Sequence, residues 1–179
     1  AFSRSGYYQM IKNGLEKGLR IDTIGMQYHV FCNKECEKDN VPDMYNPKML
    51  FEVMDTYAKL GKPLQVTEIT IPAYSDSAED EAIQAELIER LYSIWFSHKA
   101  MEAIIYWNLP DGYAAFAPQG DMTGGENVYR GGLLRFDMSK KPAYEMIHHL
   151  FNERWITNVE AETDSDGIAK FKGFYGDYE

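Results

Sequence analysis

The chain has 179 residues, and its 18 Lys and Arg against 28 Asp and Glu give a formal net charge of −10. That balance argues against nucleic acid as a partner, because phosphate binding needs a basic stripe and none appears, and against an anionic membrane surface. Hydrophobic residues at 45% and charged residues at 26% suit one ordinary globular domain, and no apolar run approaches the ~18 residues of a membrane span. The first residues, Ala1-Phe2-Ser3-Arg4-Ser5, lack a charged region followed by an apolar one, so no signal peptide is expected within them.

Tyr7 to Leu19 reads as a helix, with apolar Tyr7, Tyr8, Ile11, Leu15 and Leu19 on its period and Gly18 near its end. The run from Ile21 to Val30 suits a strand buried on both faces. Cys32 and Cys36 follow in a polar stretch. Their Cys-x3-Cys spacing reads as two thiols in a loop, since zinc would need two further ligands beside the nearest candidate, His29. Pro47 opens a helix from about Lys48 to Leu60 that Gly61 caps. A second strand runs from Pro63 to Ile71, a loop from Pro72 to Asp80, and a long helix from Glu81 to Phe96. The third strand is Ala103 to Asn108. A Gly-rich loop reaches Gly132, and Pro142 to Trp155 is the last helix.

Strands alternating with helices imply parallel pairing through right-handed crossovers. Three such strands fit either a small doubly wound sheet or part of a barrel. No Gly-rich phosphate-binding pattern follows a strand, which disfavours nucleotides. Residues 156–179 change character: Thr163-Asp-Ser-Asp-Gly167 reads as a turn between two β-prone stretches, a hairpin or small β extension beside a main unit of residues 1–155.

Polar groups gather at the C-terminal ends of the strands, where parallel α/β folds bind ligands. They are Gln27-Tyr28-His29, Thr67-Glu68, and Tyr106-Trp107-Asn108 with Asp111 beyond. Glu68 is the sharpest signal, because ionising a carboxylate within an apolar strand is costly unless partners stabilise it; the plain alternative is a solvent-facing strand glutamate. His29 alone would be a hydrogen-bonded core histidine. Trp107 is either core packing or a platform for a sugar ring, and the 14% aromatic content is compatible with both.

The segments Gly25-Met-Gln-Tyr-His29, Leu60-Gly-Lys-Pro-Leu-Gln-Val-Thr-Glu68, Ile105-Tyr-Trp107 with Asp111, Leu134-Arg-Phe-Asp137 and Lys141-Pro-Ala-Tyr144, in that order and spacing, resemble glycoside hydrolase family 10, the endo-1,4-β-xylanases. The resemblance runs from about Arg4 to Trp155. It implies the C-terminal portion of a (β/α)8 TIM barrel, about three βα units carrying the sixth to eighth strands. It implies that Glu68 is the nucleophile, that His29 hydrogen-bonds and orients it, and that Gln27 and Trp107 contact the sugar. Tyr28, Asn108 and Tyr113 complete the expected substrate-binding set. No metal or cofactor is implied. Three positions depart from the family: Asn108 replaces a Gly, Ala115 stands where a second Trp is usual, with Tyr113 or Phe116 available to substitute, and Thr70 stands where an acidic residue is common.

The resemblance further implies retaining hydrolysis of internal β-1,4-xylosidic bonds of xylan by a secreted or cell-surface protein, with the acid/base glutamate and the first five strands outside these residues. The fragment alone is expected to turn over little or nothing. Its uncovered apolar faces and edges are expected to pair with the missing barrel portion or with a second copy. A non-catalytic carbohydrate-binding or assembly fragment is the alternative; another barrel glycosidase fits the Gln27/His29 pairing less well.

Overall fold

The computed structural model describes residues 2–35 and 42–174. Cys36 lies outside the described residues. The elements alternate: α1 (Gly6–Glu16), β1 (Ile24–His29), α2 (Pro47–Ala58), β2 (Leu64–Thr70), α3 (Ala78–Ser97), β3 (Met101–Ile104) and α4 (Pro142–His149), which runs on as a π-helical turn over Leu150–Arg154. Three helices begin where side-chain oxygens meet free backbone N–H groups. Ser5 accepts from Tyr8, Asn46 from Lys48 and Ser77 from Asp80. Gly61, at φ +71°, turns the chain out of α2 in a conformation that a Cβ would strain.

The strands form one parallel sheet in the order β1-β2-β3. Ile24, Met26 and Tyr28 of β1 and Leu64, Val66 and Ile69 of β2 turn toward the helices, and all but the half-buried Met26 are at most 8% exposed. They pack with Ile88, Leu91 and Trp95 of α3 and Leu150 in one core. Burying each such side chain stabilises by about 1.5–3 kcal/mol.

The opposite face of the sheet carries Gly25, Gln27 and His29 of β1 and Gln65, Thr67, Glu68 and Thr70 of β2. This corrects two expectations. The run Ile21 to Val30 is buried on one face and not on both, since side chains alternate along a strand. The face left without helices is also largely polar: Gln27 is exposed, and Gln65 bonds Glu102 at 2.9 Å in the open.

A bulge decides where Glu68 points. Met26 is opposite Val66, but the next residue, Gln27, is opposite Glu68, so Thr67 is extra on β2. Strict alternation would send Glu68 to the helix side with Leu64 and Val66. The extra residue turns Glu68 to the open face and Ile69 into the core.

β3 is shorter than the run Ala103 to Asn108, yet its ladder continues. Ile105 N–H donates to Val66 at 2.8 Å and Trp107 N–H to Ile69 at 3.1 Å. The expected β extension does not appear among the described residues. Among the described residues, 156–174 contain no strand, and only the turn appears, where Asp164 Oδ1 accepts from the N–H groups of Asp166 and Ile168. Its flanks bury nothing that would hold two strands together: Ile156, Val159, Ile168, Phe171 and Phe174 are 41–53% exposed.

Candidate active site

The polar groups at the C-terminal edge of the sheet converge on Glu68. Gln27 Nε2 donates to its Oε1 at 2.9 Å, and His29 Nε2 lies 3.0 Å from its Oε2. Each carboxylate oxygen therefore has a partner on the neighbouring strand, an arrangement that exists because the bulge sets Gln27 opposite Glu68. The Glu68 side chain is 28% exposed and that of His29 is 12% exposed, so the carboxylate is held at its rear and reachable from the front. An ionised carboxylate only accepts, so His29 Nε2 carries the proton in this contact. Nδ1 lies 2.9 Å from Thr70 Oγ1. In the neutral imidazole the Thr70 hydroxyl donates to it, and a hydroxyl at this position can equally accept. An ionised acidic side chain at residue 70 could only accept. Thr70 is thus a site residue that the sequence marked only as a departure.

Aromatic rings frame His29. Phe31 stacks on it at 4.5 Å between centroids, Tyr129 stacks on Phe31 at 5.3 Å, and Trp107 meets the imidazole edge-on at 6.1 Å. Trp107 is 38% exposed, so much of its ring remains available to a ligand. Asn108 has φ +52°, the region where glycine is at ease and Asn is among the better-tolerated side chains. That explains how Asn stands in for a Gly. Its amide and the Trp107 indole both donate to Glu126, a residue the sequence reading did not single out.

Other expected site residues fall elsewhere. Tyr28 alternates to the helix side, is 8% exposed and donates its hydroxyl to the Met44 carbonyl, with its ring edge-on to Trp95 at 5.0 Å; burial pushes its phenol well above the usual range. It packs in the core, on the side of β1 away from Glu68. Tyr113 lies on Phe136 at 5.3 Å, on the outer loop. Phe116 is fully exposed at φ +63°. Asp111 is 6% exposed and bonds buried Lys141 at 3.0 Å and the Gly132 N–H at 2.7 Å, so it anchors the long loop. Burial pushes the Lys141 ammonium below its usual range, and Asp111 opposes that shift. Cys32 Sγ lies 3.7 Å from the Tyr74 hydroxyl.

Comparison with known proteins places this geometry in context. Residues 2–150 match the profile of Glycosyl hydrolase family 10. Endo-1,4-beta-xylanase B of Thermotoga neapolitana is 31% identical over 154 residues, covering 82% of this chain and 39% of that protein. Anti-sigma-I factor RsgI6 of Acetivibrio thermocellus is 26% identical over 166 residues, covering 90% of this chain and 18% of that protein. Among solved structures, native xylanase 10B of Thermotoga maritima superposes with TM-score 0.58 at 25% identity, and xylanase 10B of Thermotoga petrophila, solved with xylobiose, with TM-score 0.60 at 24% identity. Each pairing covers 82% of this chain and 41% of the other. The chain therefore spans well under half the length of each of these relatives.

Proposed function

The chain belongs to glycosyl hydrolase family 10, and from that premise we propose that it supplies the nucleophile half of a retaining endo-1,4-β-xylanase site. Its fold is a run of three βα units from a (β/α)8 barrel. The observation that carries the reading is Glu68 at the C-terminal end of β2, each oxygen bonded from β1 by Gln27 or His29. A nucleophilic carboxylate needs this: donors that fix it and hold its charge while one face stays open to the anomeric carbon.

In such a reaction Glu68 attacks the anomeric carbon while a second carboxyl group, roughly 5–5.5 Å away, protonates the departing glycosidic oxygen. The bond to the leaving sugar breaks as the ester to Glu68 forms. Water, deprotonated by the second group, then breaks that ester and restores Glu68. The second group is assigned to barrel strands outside these residues, so the isolated chain is expected to bind xylo-oligosaccharides weakly and to turn over little or none. A polymeric substrate would set its place of work outside the cell.

The test is a completed barrel, made by joining the chain to the N-terminal strands of a family xylanase. A 2-fluoro xylobioside with a good leaving group should label the peptide that contains Glu68, as mass spectrometry of the digest would show. Glu68→Gln should lower the glycosylation rate by several orders of magnitude and leave binding largely intact. Label on another carboxylate, or full activity in Glu68→Gln, would overturn the assignment.

A second reading is a non-catalytic carbohydrate-recognition module within a larger regulatory protein. It is favoured by the relative named as an anti-sigma-I factor, which aligns with 90% of the chain. Xylo-oligosaccharide binding without turnover in the native full-length protein would select it.

A further inference from the structure

We propose that Glu126 is the positioning residue of the sugar platform, holding Trp107 and Asn108 in the orientation the site requires. Glu126 lies in the short 3-10 turn Gly125–Tyr129 of the long loop after β3. A single oxygen, Oε2, accepts from Trp107 Nε1 at 2.9 Å and from Asn108 Nδ2 at 2.8 Å. No other side-chain hydrogen bond is made by either donor among the described residues.

Three features require such a clamp. Trp107 is 38% exposed, so packing confines it on one side only, and a stacking wall works only with its plane fixed. The indole has one polar atom, and the carboxylate takes it. Asn108 occupies φ +52°, a conformation that costs a non-glycine residue energy and persists where surrounding contacts determine it; the hydrogen bond its amide donates to Glu126 is such a contact. An Asn in place of Gly thus adds a donor that glycine lacks, aimed at the oxygen that holds the tryptophan.

The turn itself does not depend on Glu126. Beside it Asn127 is 3% exposed, accepts from Ala114 N–H at 2.9 Å and donates to the Asp121 carbonyl at 2.9 Å. The Tyr129 carbonyl accepts from Ala73 and Tyr74 at 3.0 and 3.1 Å. The same turn carries Tyr129, which stacks behind Phe31 against His29. One turn, pinned at Asn127 and Tyr129, therefore reaches both aromatic walls around the candidate nucleophile's partner. The consequence for ligands rests on the sugar-binding reading above; the orientation of Trp107 does not.

The experiment uses the full chain with 15N-labelled tryptophan, which gives three indole signals for its three tryptophans. The Trp107 signal is assigned by its loss in Trp107→Phe. In Glu126→Ala the Trp107 indole proton should shift and exchange with solvent at least about tenfold faster, as loss of a bond to a charged acceptor implies. Glu126→Gln, which keeps an acceptor oxygen, should restore most of the protection, and Asn108→Gly should leave the Trp107 signal close to native. Trp95 and Trp155 should not move. Calorimetric titration with xylobiose should show about tenfold weaker binding in Glu126→Ala and near-native binding in Glu126→Gln. An unmoved Trp107 signal in Glu126→Ala, or all three signals moving together, would overturn the positioning role. Absence of xylobiose binding by the native chain would remove the ligand consequence and count against the sugar reading, with the indole exchange still deciding the role of Glu126.

Discussion

Thr70 shows how one side chain can carry more information than its type suggests. It is 2% exposed, and its hydroxyl lies 2.9 Å from His29 Nδ1 while His29 Nε2 serves Glu68. Replacing it with Val keeps the shape and leaves Nδ1 facing an apolar group. We expect Thr70→Val to cost about 1–3 kcal/mol in a urea titration, the range for a buried polar group left without a partner, and Thr70→Ser to recover most of it. Equal stability of Thr70→Val and the native chain would show that the contact does not matter. At this scale the sequence was informative about Glu68, His29 and Gln27, because each falls in a family-like motif near the C-terminal end of one of two neighbouring strands. It was silent about Glu126, which lies 18 residues from Asn108 in a Gly-rich loop, and the folded loop is what brings the two together. Tyr28 was misplaced because a motif runs through consecutive residues whereas a strand divides them between two faces.

The elements were legible where periodicity is strong. α1, α2 and α3 lie within a few residues of their apolar stripes, and the bulge in β2 is visible in retrospect: the apolar residues fall at Leu64 and Val66, then at Ile69 and Ile71. The β extension failed because alternation alone does not make strands when nothing covers either face. The start of α3 has a more specific role. Its cap Ser77 is followed by Asp80, which accepts from Lys34 and Ser75, and by Glu81, which pairs with Arg135. Loops from around the candidate site are thus tied to one helix N-terminus, where the peptide dipoles also favour acidic residues. The Lys34 bond above all, then that of Ser75, holds the Asp80 carboxyl below its ordinary value of 3.8. A carboxyl whose folded value is depressed contributes stability above the ordinary range, and that contribution fades as pH falls through 3.8 toward the folded value. Urea titrations at descending pH should therefore show a steep loss of stability in that window. Asp80→Asn should start less stable and lose less. An identical pH slope in native chain and variant would refute this account.

At the scale of the whole molecule, the question is what three barrel strands do when uncovered. The sequence led to an expectation of open apolar surface, but the face without helices carries Gln27, Gln65, Thr67, Glu68 and Glu102. A polar face hydrates and provides little drive for association. The strand edges are different. Among the described residues β1 and β3 each have one neighbour, β2, so their outer backbone groups remain available to another strand. The Tyr7 hydroxyl, donating to the Gly25 carbonyl at 2.8 Å, covers one such group on β1. Large apolar side chains that stay exposed include Met10 at 64% on α1 and Ile105 at 48% just past β3. Association should consequently be edge-to-edge, concentration-dependent and weak, and not the tight burial of a complete hydrophobic face. Sedimentation velocity over a hundredfold range of concentration should show a rising weight-average coefficient. Adding an N-terminal fragment of a family barrel should suppress that rise by occupying the same edges. Residues 156–179 should not matter to it: the tail's Phe174 meets Phe96 of α3 at 5.5 Å between ring centroids, on a helix and not on a strand edge. A chain ending at Trp155 should therefore associate as the full chain does. A strict monomer across the whole range, or association abolished by removing the tail, would place the interaction somewhere other than the open edges of the sheet.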